Sequence, residues 1–232
     1  MGDEIAAFVR RHHTAAPAQV DLTVRVRFNP NLLRMWLGSI SGIVDQISLL
    51  AMVLTGAALI REREHGTIEH LLVMPVTPME IMLSKIWSMG LVVLVVSSLS
   101  LVLVVRGLLA VPIEGSIPLF VLATALFLCA MTSMGIALAT VAGSMPQFGL
   151  LLMLTLLPLL ILSGNLTPFE SMPPAIQTIM LAAPNTHFVV LAQSILFRGG
   201  GLDLVWPQFL ALLAIGLVLF LFALARFRRF LK

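Results

Sequence analysis

Charge is scarce in this chain. Only 11% of its 232 residues are Asp, Glu, Lys or Arg, whereas an ordinary soluble domain carries roughly 25%. That scarcity, with 59% hydrophobic residues and a mean hydropathy of +1.05, excludes a single water-soluble core, because one domain of this length cannot hide so much apolar side chain. Lipid must solvate it. Tyrosine is absent and tryptophan is confined to Trp36, Trp87 and Trp206, each beside an expected membrane boundary where an amphipathic ring is comfortable. A single cysteine, Cys129, excludes an intrachain disulfide. The net charge of +3 comes from basic residues spread over the ends of apolar runs, with no stripe interleaved with stacking aromatics, so nucleic acid is not an expected partner. Also missing are a G-x-x-x-x-G-K-[ST] phosphate loop, H-E-x-x-H, G-x-S-x-G and paired intramembrane carboxylates. No catalytic residue is expected. His65 and His70, five apart, fall on different faces of a helix without a third ligand, so no metal site is expected either.

What the chain does contain is five apolar runs near the roughly 20 residues needed to cross a bilayer as a helix. They cover about 37–60, 86–108, 117–142, 148–162 and 207–225. The fold class read from this is an all-α polytopic membrane protein of about five spans. The fourth run is short and holds Pro158, so it should kink or join a re-entrant piece. Residues 1–36 form a polar arm without the apolar run of a signal peptide. Within it, DLTVRVRF (21–28) alternates as a short β-strand. Asp45 is the one carboxylate inside an expected span. It either lines a pathway or sits at a boundary.

Residues 61–85 are the polar interruption. Ile68, Leu71 and Leu72 repeat at helical spacing, Gly66 weakens that helix, and Pro75 and Pro78 end it, after which Pro78 can start a second short helix, MEIMLSK. Mixed charge with an apolar stripe suits docking to a protein; a solvated loop is the plainer alternative. Arg61, Arg63, Lys85, Arg226, Arg228, Arg229 and Lys232 gather on one side of the spans, which places that side and the C-terminus in the cytoplasm. Residues 163–205 then face outward. They break at Ser163-Gly164, Pro168 and Pro173-Pro174, and hold two short helical pieces, about 174–181 and 187–197, lying in the interface or re-entering the bundle.

The segment LIREREHGTIEHLLVMPVTPMEIMLSK resembles the cytoplasmic loop of ABC-2 type transporter permeases, especially their bacterial drug-export-like branch. LSGNLTPFESMP resembles that family's exterior signature after the penultimate long span. APNTHFVVLAQSILFRG is similar to the stretch before its last helix, and VRVRFNPN to the end of its external domain, so the likeness covers 24–229 in order. It implies a permease subunit of an ATP-binding-cassette exporter in the bacterial inner membrane, paired with a second permease half, as homodimer or heterodimer, and with separate ATP-binding subunits that hold ATP and Mg. The chain itself would bind no cofactor. Carried onto this sequence, Arg61, Glu62, Arg63, Glu64, Gly66, Thr67, Glu69, Leu71, Leu72 and Pro75 would couple to the ATPase, and Gly164, Pro168, Glu170 and Pro173 would form an exterior gate or turn. Where the family has six spans, five are expected here, so the chain reads as the later part of a longer permease. The alternative is a truncated or non-transporting membrane assembly or regulatory protein that docks a cytoplasmic partner.

Overall fold

The computed structural model describes residues 34–66, 76–109, 111, 113–164 and 169–230. The strand expected over 21–28 lies outside them. Every regular element among the described residues is helical. Five helices are long and apolar enough to cross a membrane.

Helix α1 (Arg34–Glu64) buries Ile43, Val44, Ile47, Ser48, Ala51, Met52, Leu59 and Ile60, neighbouring pairs about four residues apart that draw one stripe along its length. Helix α2 (Pro78–Leu99) begins in a complete capping box. The Thr77 hydroxyl accepts from the Glu80 N–H, and the Glu80 carboxylate accepts from the Thr77 N–H at 2.7 Å. It continues without interruption through Lys85 into the bilayer-length run, so the separate short helix expected at MEIMLSK is the first turns of the span itself. Charge at Glu80 and Lys85 made those turns look separate from the span, although the helix runs straight through them. From Ser100 to Leu108 the same rod widens into a π-helix, with Leu109 N–H donating to the Val104 carbonyl five residues back. A π turn rotates each residue by less than an α turn does. Val93, Ser97, Leu101 and Val105, spaced by four, thereby stay buried on one face.

Helix α3 (Ile117–Val141) is the centre of the bundle. Of its spanning stretch 61% is buried, against 17% for α4 (Met145–Leu162) at the periphery. At Gly135 a β-carbon would stand 2.8 Å from the Met52 carbonyl oxygen and 3.0 Å from its Cα, so only glycine lets α3 and α1 come this close. Beyond α4, a 3-10 turn (Phe169–Ser171), α5 (Pro174–Met180) and α6 (Pro184–Leu196) follow, the last two bent 84° to each other. Helix α7 (Leu202–Phe230) closes the bundle. It starts before and ends after the run expected at 207–225, with Pro207 inside its second turn.

Of the two places considered for the short pieces, α6 takes the interior one. Phe188 is fully buried and stacks on Phe127 of α3 with ring centroids 4.1 Å apart. The far end of α6 meets the α2–α3 loop, where the Glu114 N–H donates to the Leu196 carbonyl at 3.2 Å. Seven buried hydroxyls in the bundle, among them Ser48, Thr55, Thr124 and Thr132, donate to a carbonyl three or four residues back in their own helix. That satisfies them at a depth where water is scarce.

Candidate functional site

Four consecutive charged residues, Arg61 to Glu64, form the last turn of α1 at the basic end of the bundle. Three of the four reach a different neighbouring element. Glu62 pairs with Lys85 of α2, whose side chain is 11% exposed, so the ion pair ties the two ends of the polar interruption together. Arg63 donates from Nη1 to the Ala142 carbonyl at 3.1 Å and lies 5.1 Å above the Phe230 ring of α7. Glu64 accepts from the Met145 N–H at 3.1 Å.

The α3–α4 corner explains why the signs alternate. Ala142 is the C-cap of α3, where unsatisfied carbonyls carry partial negative charge, and a guanidinium there is favourable. Met145 is the first residue of α4, whose N-cap Ser144 makes no side-chain cap; the partial positive charge of that end is met by the Glu64 carboxylate. Adjacent residues of α1 thus complement opposite dipole ends of one corner. Gln147 helps from within, accepting from the Gly143 N–H at 2.6 Å.

Arg61 is the member left facing outward. Its side chain is exposed, while its carbonyl accepts from the His65 backbone N–H at 2.9 Å and lies 2.8 Å from His65 Nδ1. Gly66, at φ +69°, ends the turn in a left-handed conformation that side chains disfavour. Thr67, Glu69, Leu71, Leu72 and Pro75 lie outside the described residues. Sequence reasoning named Lys85 only as a charge that sets orientation and did not single out Ala142, Met145 or Phe230, because nothing local in the sequence links positions 23, 79, 81 and more residues apart.

At the opposite end, Gly164 follows the C-cap of α4 at φ +92°, which turns the chain out of that helix. Pro168 lies outside the described residues. Glu170 sits in the 3-10 turn, and Pro173 is the N-cap of α5, so both belong with Gly164 to the connection between α4 and α5. Asp45 is half-buried on α1, one turn from Ser48.

Such an arrangement, a bundle of bilayer-length helices tied together by charge at one end, is that of a polytopic helical membrane domain. The profile of the ABC-2 family transporter proteins matches residues 8–225, and the chain belongs to that family. It is 62% identical over 226 residues, 97% of this chain, to the "Inner membrane transport permease YhhJ" of Escherichia coli (strain K12), and equally to that of Shigella flexneri. To the "Probable multidrug ABC transporter permease YbhR" of Escherichia coli (strain K12) it is 29% identical over 216 residues, 92% of this chain. The chain spans 60% of the length of YhhJ and 58% of that of YbhR.

Proposed function

We propose that the chain is the membrane-spanning part of an ATP-driven exporter of the bacterial inner membrane, moving its substrate outward on energy from a separate ATP-binding subunit. A second permease half, another copy or a homologue, completes the path. The observation that carries this reading is the Arg61–Glu64 turn, where one short segment grips α2, α3, α4 and α7 at once. A push delivered to residues 61–77 from the cytoplasm would reach those four helices together, which is what a two-state bundle needs from its motor contact. In this reading Arg61 and Glu69 face the ATPase, while Glu62, Arg63 and Glu64 transmit within the chain. The connection holding Gly164, Pro168, Glu170 and Pro173 closes the exterior side, and Asp45 stands on the path between. YhhJ and YbhR, named as permeases, support the class; the substrate is open.

The test is co-purification with the ATP-binding-cassette subunits of the same genome, each tried in turn, with ATPase activity measured alone and in complex. Binding with stimulation is expected, and Arg61→Glu should weaken the association at least several-fold while leaving thermal stability unchanged. Binding without stimulation would favour a scaffold; no binding would overturn the proposal. A compartment-sensitive reporter after Lys232 should report the cytoplasm, and an external signal would reverse the orientation.

A further inference from the structure

Two buried polar side chains lack the bond that Ser48, Thr55, Thr124 and Thr132 make. Asn185 is fully buried and Thr186 is 6% exposed, yet among the described residues the Asn185 Oδ1 and the Thr186 hydroxyl have no hydrogen-bond partner. Both belong to the first turn of α6. Their position bears on this: four residues before Thr186, where a threonine deeper in a helix finds a helical carbonyl, stands Ala182, which precedes α6.

The orientation of the Asn185 amide is set by its neighbour. Ser48 Oγ donates to the Val44 carbonyl at 2.9 Å and has only lone pairs left, so Asn185 presents Nδ2 to it, at 3.1 Å. The end of the amide left over is therefore the acceptor. The same turn also carries donors. Ala183, the N-cap of α6, supplies no side-chain cap, and Pro184 removes one of the usual free N–H groups, which leaves those of Asn185 and Thr186 without a cap. Ser48 lies near the middle of α1, roughly 24 Å along the helix from Glu64 at 1.5 Å per residue, so this cluster sits deep between the two ends of the bundle.

We infer that the first turn of α6 is a binding site for one neutral O–H group. The unpaired carbonyl oxygen requires a donor, the helix N-terminus requires an acceptor, and a hydroxyl is both. An ammonium would face the positive end of the α6 dipole, and a carboxylate would face the Asn185 oxygen; each meets repulsion where a hydroxyl meets none. The hydroxyl is that of a water molecule or of an alcohol dissolved in the bilayer. Buried polar groups at such depth are expected to hold a partner rather than remain orphaned.

The full chain in lipid nanodiscs, melted with and without 1-octanol and with n-octane as the apolar control, distinguishes these. Thr186→Val keeps the side-chain shape and deletes the hydroxyl. If the site holds an O–H group, Tm falls by about 2–4 °C, the shift that the loss of one net hydrogen bond produces in a chain of this size. A Tm increase with octanol but not octane, present in wild type and Thr186→Ser and absent in Thr186→Val, identifies an alcohol as the occupant. A fall in Tm on Thr186→Val with no octanol effect identifies water. An unchanged or raised Tm in Thr186→Val overturns the inference, because an empty site loses only an unsatisfied polar atom. None of these readings depends on ATP or on transport.

Discussion

At the scale of single residues, closeness between helices rather than burial decides which substitutions matter. Gly135 is one such case between two long helices, since a β-carbon there would enter the Met52 backbone, which has no rotamer to move away. Gly135→Ala should therefore lower stability by about 1–3 kcal/mol, as overpacking does in other tight interiors. Gly149 on α4, with nothing within 4 Å of the added carbon, should instead gain up to roughly 1 kcal/mol from helix propensity when changed to Ala. Thermal melts of the two variants in one detergent test both; equal losses would mean that the α1–α3 crossing is looser than described. The charged turn obeys the same logic. Arg61, Glu62, Arg63 and Glu64 look equivalent as letters, yet the side chains of the last three reach other elements and that of Arg61 reaches none among the described residues.

At the scale of elements, the Glu62–Lys85 pair ties α1 to α2 across a segment of 23 residues. Glu62→Lys and Lys85→Glu should each destabilise the protein, and the doubly reversed chain should recover part of the loss. The coupling should be about 1 kcal/mol, typical of a partly exposed ion pair. A double variant no better than the worse single one would show the pair to be energetically idle. The same elements show what the sequence reveals and what it conceals. Five spans were legible because lipid imposes a minimum apolar length that no other environment demands, and the breaks after α4 were legible at Gly164 and Pro173 because only certain residues turn a chain there. The continuity of α2 through Lys85 was concealed, since a charged residue at a helix entrance and one in a loop read alike. The π-helical end of α2 leaves no compositional mark. Helix α6 was undervalued for the opposite reason. Asn185, Thr186, His187 and Ser194 make it look too polar for an interior, although three of them are buried and the His187 ring lies between Gln208 and the Leu181 carbonyl. Its polarity is used for contacts between helices, and pattern alone cannot tell that from solvent exposure.

At the scale of the whole molecule, the bundle is asymmetric in how much of it touches neighbours. Helix α3 is enclosed, while α2, α4 and α7 present rows of large apolar side chains outward, such as Leu150, Leu154, Leu217 and Val218. In water these rows would drive aggregation; in lipid they are simply solvated. Helix α4 also differs from its neighbours in reach. Its 18 residues extend about 27 Å at the standard rise, against a hydrocarbon layer of roughly 30 Å, whereas α7 has 29 residues. The membrane beside α4 must pinch, and that beside α7 must tilt the helix or let it protrude, each at a fraction of a kcal/mol per ångström. Thickening the bilayer strains α4 and relieves α7, so melting temperature in nanodiscs should pass through a maximum at intermediate acyl-chain length; a flat dependence would remove the argument. A bilayer dimpled on one flank and full on the other gives the protein a built-in preference for where in a heterogeneous membrane it settles, and for which flank a passing lipid finds easiest to cross.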